Sequence, residues 1–413
     1  MQTKNIYQPL HQHYLDRLQL SEANLQVEDS NTMATKTMKF EDGAVQFRQR
    51  LVVSILSHRP LLIRNIRADD LESPGLSEHE ASFLRLLDRM TNGTSVEINA
   101  TGTQLRFKPG VLIGGEIEHQ CPLGKSVGWF LEGVLGLAPF GKDALHLTLD
   151  GTTDSLSHLD PSPDYIATSI LPLFVKLGIG ADADEGPPPM IKVTKRGAAP
   201  TGGGQVVFTC PMIKEITAPL ELTDVGKIKR VRGTVVSCRI PPSSAARVAH
   251  SAKGLLHRLL PDVWIHTDTH SSKNGKQGGC GPSPGLSVCL SSESNTGIVM
   301  AAETCLDASK DGRGALLPED LGVRVAAMLL DEIRKGGCID TGAQSIALLF
   351  MCLGPEDVSR IRVGTLSQYS IVSLRLFKEA FDVEFKVKAD TDSRTVILSC
   401  LGSGYRNMAR ASS

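Results

Sequence analysis

Three consecutive glycines, Gly202, Gly203 and Gly204, stand between Thr201 and the run Gln205 to Cys210, and they restrict the fold more than any other stretch. Each glycine in a helix interior costs on the order of 1 kcal/mol against alanine, so the run interrupts a helix. It suits a backbone with positive φ, or one that another segment approaches closely. Gln205-Val206-Val207-Phe208-Thr209-Cys210 then reads as a strand. A P-loop needs G-K-[S/T] followed by a helix, which excludes that motif. Two readings of Arg196 to Val206 stand side by side. One is a tight turn between strands, the usual work of such runs. The other is an anion seat made by successive N–H groups, with Arg196 beside it.

On either side of this run, helical and alternating patterns recur in a similar order. Phe47 to Ser57 reads as a helix stopped before Pro60, and Leu61 to Ile66 as a strand. Pro74-Gly75 is a turn, and Glu78 to Met90 is an amphipathic helix closed by Asn92-Gly93. Strands follow near 95–99, 104–107 and 111–118. The order repeats with a helix at 125–137, a strand at 144–149, a helix at 165–177, and strands at 191–195 and 205–209. It returns with helices at 318–335 and 341–353, a strand at 359–363, a helix at 366–380, and strands at 383–388 and 394–400. Pro318-Glu319-Asp320 is a helix start, with acids at the positive end of the dipole. The expected class is α+β, with three repeated βα units.

Residues 211–305 break this rhythm. Strands at 228–239, 263–268, 286–292 and 297–303, with a helix from Ser243 to Leu260, read as a smaller inserted α+β domain. Its segment from Ser271 to Gly285 reads as a loop. The expected division is an extension at 1–38, repeats one and two at 39–210, the insert at 211–305, repeat three at 306–405, and a tail at 406–413. The extension is polar and suits a floppy tail. Tyr7, Leu10, Tyr14 and Leu18 keep the spacing of a short docking helix.

Charge narrows the function classes. The formal net charge is −1, so no global basic field steers the chain toward nucleic acid, and RNA contact needs a local patch or a partner. The nine cysteines form no C-x-x-C pair, which indicates neither structural zinc nor a disulfide framework and suits a reducing compartment. The apolar run Ile346 to Leu353 is too short to span a bilayer, so no membrane partner is expected.

Several motifs together are similar to the RNA 3′-terminal phosphate cyclase family. They are the Arg196-Gly197…Pro200…Gly202-Gly203-Gly204 stretch, Ile66-Arg67-Ala68 with Pro74-Gly75-Leu76, and Phe107-Lys108-Pro109-Gly110. Gly114-Gly115, Gly151-Thr152-Thr153-Asp154 and Ile228 to Gly233 complete the set. The resemblance covers nearly the whole chain after Met38. It implies three βα units, each with two helices on a four-stranded sheet, plus an inserted domain of thioredoxin-like type. Cyclases of this family activate an RNA 3′-phosphate through an adenylated histidine.

Two departures assign the branch. Aligned on Gln344, Asp340 occupies the position of that histidine, and no histidine follows His270. A phosphoramidate-type intermediate requires an imidazole nitrogen. Near the start, Gly43-Ala44-Val45-Gln46-Phe47-Arg48 replaces the family's glycine-rich contact surface. Both changes resemble the non-cyclising, ribosome-assembly branch. The resemblance implies a nucleolar, hence nuclear, factor in early small-subunit pre-rRNA processing within the processome. Its implied partners are an assembly GTPase and pre-ribosomal RNA, and no cofactor is expected. Arg48, Arg196 and Gly202 to Gly204 are the candidate phosphate or RNA contacts. Lys227, Lys229, Arg230 and Arg232 form a basic strand, either solvated or facing RNA or an acidic partner. The loop Asp307 to Gly314 gives an endoribonuclease alternative. Lys310 and Arg313 would hold a phosphate there while Asp311 takes the 2′-OH proton; a charged linker is the plainer reading. An active ATP-dependent cyclase is a third alternative. His266, Asp268 and His270 share a strand face, which suits a metal triad or simply a polar strand end; no metal is assigned.

Overall fold

A computed structural model describes residues 36–155, 160–180, 186–270, 279–306 and 317–409. The protein is α+β and divides into two compact units, Met1–Leu112 and Ile113–Ser413. The expectations for the first 35 residues and for Lys310, Asp311 and Arg313 lie outside the described residues.

The first unit contains β1 (Met38–Phe40), α1 (Phe47–Ser57), β2 (Leu61–Ile63), α2 (Glu78–Met90), β3 (Thr91–Asn92), β4 (Ser95–Ile98), β5 (Leu105–Lys108) and β6 (Val111–Leu112). Its sheet runs β1-β2-β5-β4, and β3 pairs with β6. Helix α1 buries Phe47, Leu51, Val52, Val53, Ile55 and Leu56, and α2 buries Phe83, Leu84, Leu86, Leu87 and Met90. Ser77 and Glu80 form a capping box at the start of α2. The expected strand 61–66 stops at Ile63, because Asn65 and Arg67 take positive φ. Arg67 turns back to donate Nε to the Gly75 carbonyl at 2.8 Å and to pair with Glu80.

The expected strand 111–118 is two strands. Gly114 and Gly115 have φ of +74° and +84°, and a Cβ on Gly114 would lie 2.2 Å from the Asp143 carbonyl oxygen. Beyond this break the second unit begins with β7 (Gly115–Gln120), α3 (Val127–Leu135) and β8 (Leu145–Gly151). Helix α4 follows as an α turn Pro163–Tyr165, a π-helical turn Ile166–Ile170 and an α segment Leu171–Lys176. With β9 (Met190–Lys195) and β10 (Gly204–Cys210) the sheet order is β7-β8-β10-β9.

The chain next forms β11 (Glu221–Leu222), β12 (Ile228–Cys238), α5 (Pro242–Leu256), β13 (Val263–His270), β14 (Gly285–Ser294), β15 (Val299–Cys305) and α6 (Pro318–Lys335). It ends with α7 (Gln344–Leu353), β16 (Val358–Val363), α8 (Gln368–Phe381), β17 (Lys386–Asp390) and β18 (Thr395–Leu401). Two more sheets result, β13-β12-β14-β15 and β11-β16-β18-β17. In each of these four-stranded sheets one edge strand runs parallel to its neighbour and the other pairings are antiparallel. Three share one chain order, whereas β13-β12-β14-β15 is threaded differently.

Helix α6 packs with α5 on that differently threaded sheet. Leu321, Val325, Ala326 and Leu329 join Val248, Ala252, Val231 and Leu290 in one core. The expected boundary at 305/306 therefore runs between α6 and the sheet it covers. The sheet completed by β16, β17 and β18 takes its edge strand, β11, from before the insertion. The start of the expected tail is packed: Asn407 donates Nδ2 to the carbonyls of Gly141 and Ile213, each at 2.9 Å.

Candidate functional site

Asp340 sits in the turn that leads into α7, whose apolar sequence Ile346 to Leu353 buries it throughout. The residue is 1% exposed. Its carboxylate accepts hydrogen bonds from the Tyr165 hydroxyl, the Ser169 hydroxyl, and the main-chain N–H groups of Ala301 and Ala343, the last two at 3.0 Å. Burial pushes its carboxyl up, against those four donors. The Tyr165 phenol is pushed up by burial and by Asp340 itself. The π-helical turn of α4 carries Ser169 to this carboxylate. Nearby, Gln344 donates Nε2 to the Thr365 carbonyl at 3.0 Å and accepts from Ser367 N and Ser370 Oγ. The Asp340 carboxylate is thus held as a buried structural acceptor, a poor arrangement for an attacking group.

Arg196 follows β9 directly, ahead of the glycine run, and is 8% exposed. Its guanidinium grips Asp164 with two nitrogens, one at 3.0 Å, and lies 3.5 Å from Asp268 on β13. Burial alone would weaken its charge, but Asp164, Asp268 and Asp154 hold it firmly protonated. Asp154 accepts from Ser287 Oγ at 3.2 Å, and burial raises its carboxyl to about 6. Glu303 on β15 accepts from the Ser162 N–H at 2.8 Å. Glu303 is partly buried as a residue, and desolvation raises its carboxyl to about 8. Ser162, Asp164, Thr234, Ser287, Glu303 and Thr304 line one small cavity here.

The glycine run does the work of a turn. Gly202 and Gly203 have φ of +58° and +76°. Gly202 N–H donates to the Ala198 carbonyl at 2.8 Å, and Gly197 N–H to Thr153 Oγ1 at 2.9 Å. Gly204 opens β10 opposite Gly151. Gly281 lies against the run: a Cβ there would stand 1.8 Å from the Gly202 carbonyl oxygen. Gly281 N–H also donates to the Arg196 carbonyl at 2.8 Å. The run is a close crossing of backbones, and Arg196 faces carboxylates where an anion seat would need an open cation.

The remaining candidates scatter. Arg48 is buried in the first turn of α1, in the first unit, so it does not share a compact unit with Arg196. Arg230 pairs with Glu293, with Nε to Oε2 at 2.8 Å, and Arg232 binds Asp262 bidentately at 2.8 and 2.9 Å. Lys227 and Lys229 are exposed. His270 Nε2 approaches Asp268 Oδ1 at 2.9 Å, and Asp268 also faces Arg196, so this strand face is engaged in pairing. Among the described residues no group of three or more His, Cys, Asp or Glu is arranged to hold a metal. No helix among them is long and apolar enough to cross a membrane.

Sequence reasoning missed Asp164, Glu303, Tyr165 and Ser169. Glu303 alone carried a signal, a single acid within the otherwise uncharged strand Val299 to Cys305.

The comparisons agree in direction. A family model described as RNA 3′-terminal phosphate cyclase matches residues 39–387. The chain is 45% identical over 385 residues to the probable RNA 3′-terminal phosphate cyclase-like protein of Dictyostelium discoideum, covering 91% of this chain and 99% of that one. It is 42% identical over 386 residues to the RNA 3′-terminal phosphate cyclase-like protein of Homo sapiens, covering 92% and 99%. It is 40% identical over 380 residues to the rRNA processing protein rcl1 of Schizosaccharomyces pombe, again covering 92% and 99%.

Proposed function

The chain belongs to the RNA 3′-terminal phosphate cyclase family, and from that premise we propose that it acts in ribosomal RNA processing as an assembly factor without cyclase chemistry. The observation that carries this reading is Asp340. At the position where the family's nucleophile is expected, the side chain is buried and accepts four hydrogen bonds. Its oxygens are committed to holding α4, α7 and β15 together. The name of the fission-yeast relative supports the rRNA-processing role. In the finer form of the proposal, the protein binds an assembly GTPase, works on the small-subunit precursor in the processome, and resides in the nucleolus.

The test is depletion of the protein from cells, with small-subunit rRNA precursors followed by hybridisation. Uncleaved precursor should accumulate, and wild-type protein should reverse the effect. Unchanged processing overturns the role. In parallel, purified protein is incubated with labelled ATP and a 3′-phosphorylated RNA. No nucleotide should remain on the denatured polypeptide, and a retained label overturns the loss of cyclase chemistry. Purified protein cutting a precursor RNA in chelator would instead establish the endonuclease reading, which rests on Lys310, Asp311 and Arg313.

A further inference from the structure

We propose that the free edge of the inserted sheet binds an unpaired stretch of RNA, with one base stacked on Trp264. Strand β13 is an edge strand, paired in parallel with β12 on one side. Its first four residues alternate between core and solvent. Val263 and Ile265 are buried in the core beneath α5 and α6, while Trp264 and His266 are exposed. Trp264 is 67% exposed, an unusual position for so large an apolar ring.

The surroundings of the ring are cationic. The Lys253 ammonium lies 6.0 Å from its centroid, within cation–π reach. Helix α5 also carries His250, and exposed His257 and Arg258 follow it, while its Arg247 is held by Glu319 of α6 in a bidentate pair. Sheet register places Arg232 beside Trp264. The acid next to them in sequence, Asp262, is held by that Arg232 in a bidentate pair. Exposed Lys227 precedes β12 and exposed Lys229 lies in its first residues, at the end where Arg232 pairs with Trp264.

An exposed π-face beside the Lys253 ammonium matches what a single strand presents, a base for stacking and phosphates for charge pairing. The stack tolerates any base, so the surface would hold RNA without reading its sequence. A protein partner would favour contiguous apolar area. Beyond the ring, Leu259 in the connection from α5 to β13 is exposed, which makes an apolar protein contact the competing outcome. This surface uses neither Asp340 nor Arg196. Its test runs on purified protein, so failure here leaves the rRNA-processing role standing.

The sequence has two tryptophans, so a Trp129→Phe full-length protein leaves Trp264 as the sole indole reporter. It is titrated with an oligouridylate of about ten nucleotides, within the range one such surface covers. Polarisation of the labelled oligonucleotide gives the same affinity on protein that retains Trp129. Saturable quenching of Trp264 is expected. Trp264→Ala should weaken binding about fivefold or more, and Trp264→Phe should retain most of it. Lys253→Ala should lower the slope of log affinity against log salt by about 0.7. Thermal melts establish that each variant is folded. Absence of saturable binding overturns the proposal, as does equal binding by Trp264→Ala. Trp264→Leu binding as tightly as wild type also overturns it, because leucine preserves an apolar protein contact and removes the stack.

Discussion

Ala301 donates its main-chain N–H to Oδ2 of Asp340 at 3.0 Å, tying strand β15 of the inserted sheet to the turn before α7. The same carboxylate receives Tyr165 and Ser169 from α4 and Ala343 from its own turn. Asp340→Ala strands these donors in a buried site, at roughly 1–3 kcal/mol for each one left unsatisfied. A loss of about 3 kcal/mol or more is expected from denaturant unfolding, with Asp340→Asn costing clearly less. Asp340→His should destabilise like alanine and gain no protein-bound AMP. Wild-type stability of Asp340→Ala would show that the carboxylate is not a structural acceptor.

Arg196 joins the strand before the glycine run to Asp164 at the start of α4 and to Asp268 on β13. Removing the guanidinium leaves Asp164, Asp268 and buried Asp154 facing one another. Arg196→Ala is therefore expected to lose about 2–4 kcal/mol, a figure kept below that of a fully buried pair because Asp164 and Asp268 are partly exposed. Asp164→Asn in the Arg196→Ala background should recover part of the loss. A double-mutant cycle should give a coupling of about 1–3 kcal/mol. Additive single effects would show that the pair is not a joint.

Local patterns and long-range joints differ in how far the sequence discloses them. Helices α1, α2 and α6 begin and end where their sequences indicate, because Pro60, Asn92-Gly93 and Pro318 act within a few residues. Strand β11 escaped notice because two residues, Glu221 and Leu222, carry no periodicity. The π-helical turn at Ile166–Ile170 keeps a helical sequence and so had no visible mark. The acidic cluster was illegible for another reason. Tyr165 and Asp340 are 175 residues apart, and Ser162 and Glu303 are 141 apart. No spacing rule reaches across such distances, so Asp340 was identifiable as a departure from the family pattern but not as a packing centre.

Glu303 contributes a stabilisation that falls with rising pH. Burial lifts its carboxyl from an ordinary 4.5 to about 8. The folded state therefore holds a proton that the unfolded chain releases. The stabilisation is fully present below about pH 4.5, and it declines as pH rises to about 8. Glu303→Gln keeps an oxygen for the Ser162 N–H and removes the titration. Its unfolding free energy should vary less between pH 5 and pH 8 than that of the wild type, by a few kcal/mol. Parallel pH profiles for the two proteins would show that Glu303 ionises freely.

Gly281 tests whether the glycine run is a backbone crossing. The Cβ of an alanine would stand 1.8 Å from the Gly202 carbonyl oxygen, and that oxygen belongs to a turn already closed by Gly202 N–H on Ala198. Gly281→Ala must therefore shift one of these two backbones, and Gly281 N–H also holds the Arg196 carbonyl. Gly93 gives the contrast of strain without contact: its φ is +81°, with nothing within 4 Å of an added Cβ, whereas Gly281 has no positive φ. Gly93→Ala should cost about 1 kcal/mol from backbone strain alone. Gly281→Ala should cost at least twice that, since overpacking with a fixed neighbour adds about 1–3 kcal/mol or more. It should also weaken the Arg196–Asp164 coupling measured by the cycle above. Equal costs at the two positions would mean that the run has room to spare. The anion-seat reading of Gly202 to Gly204 would then regain its footing.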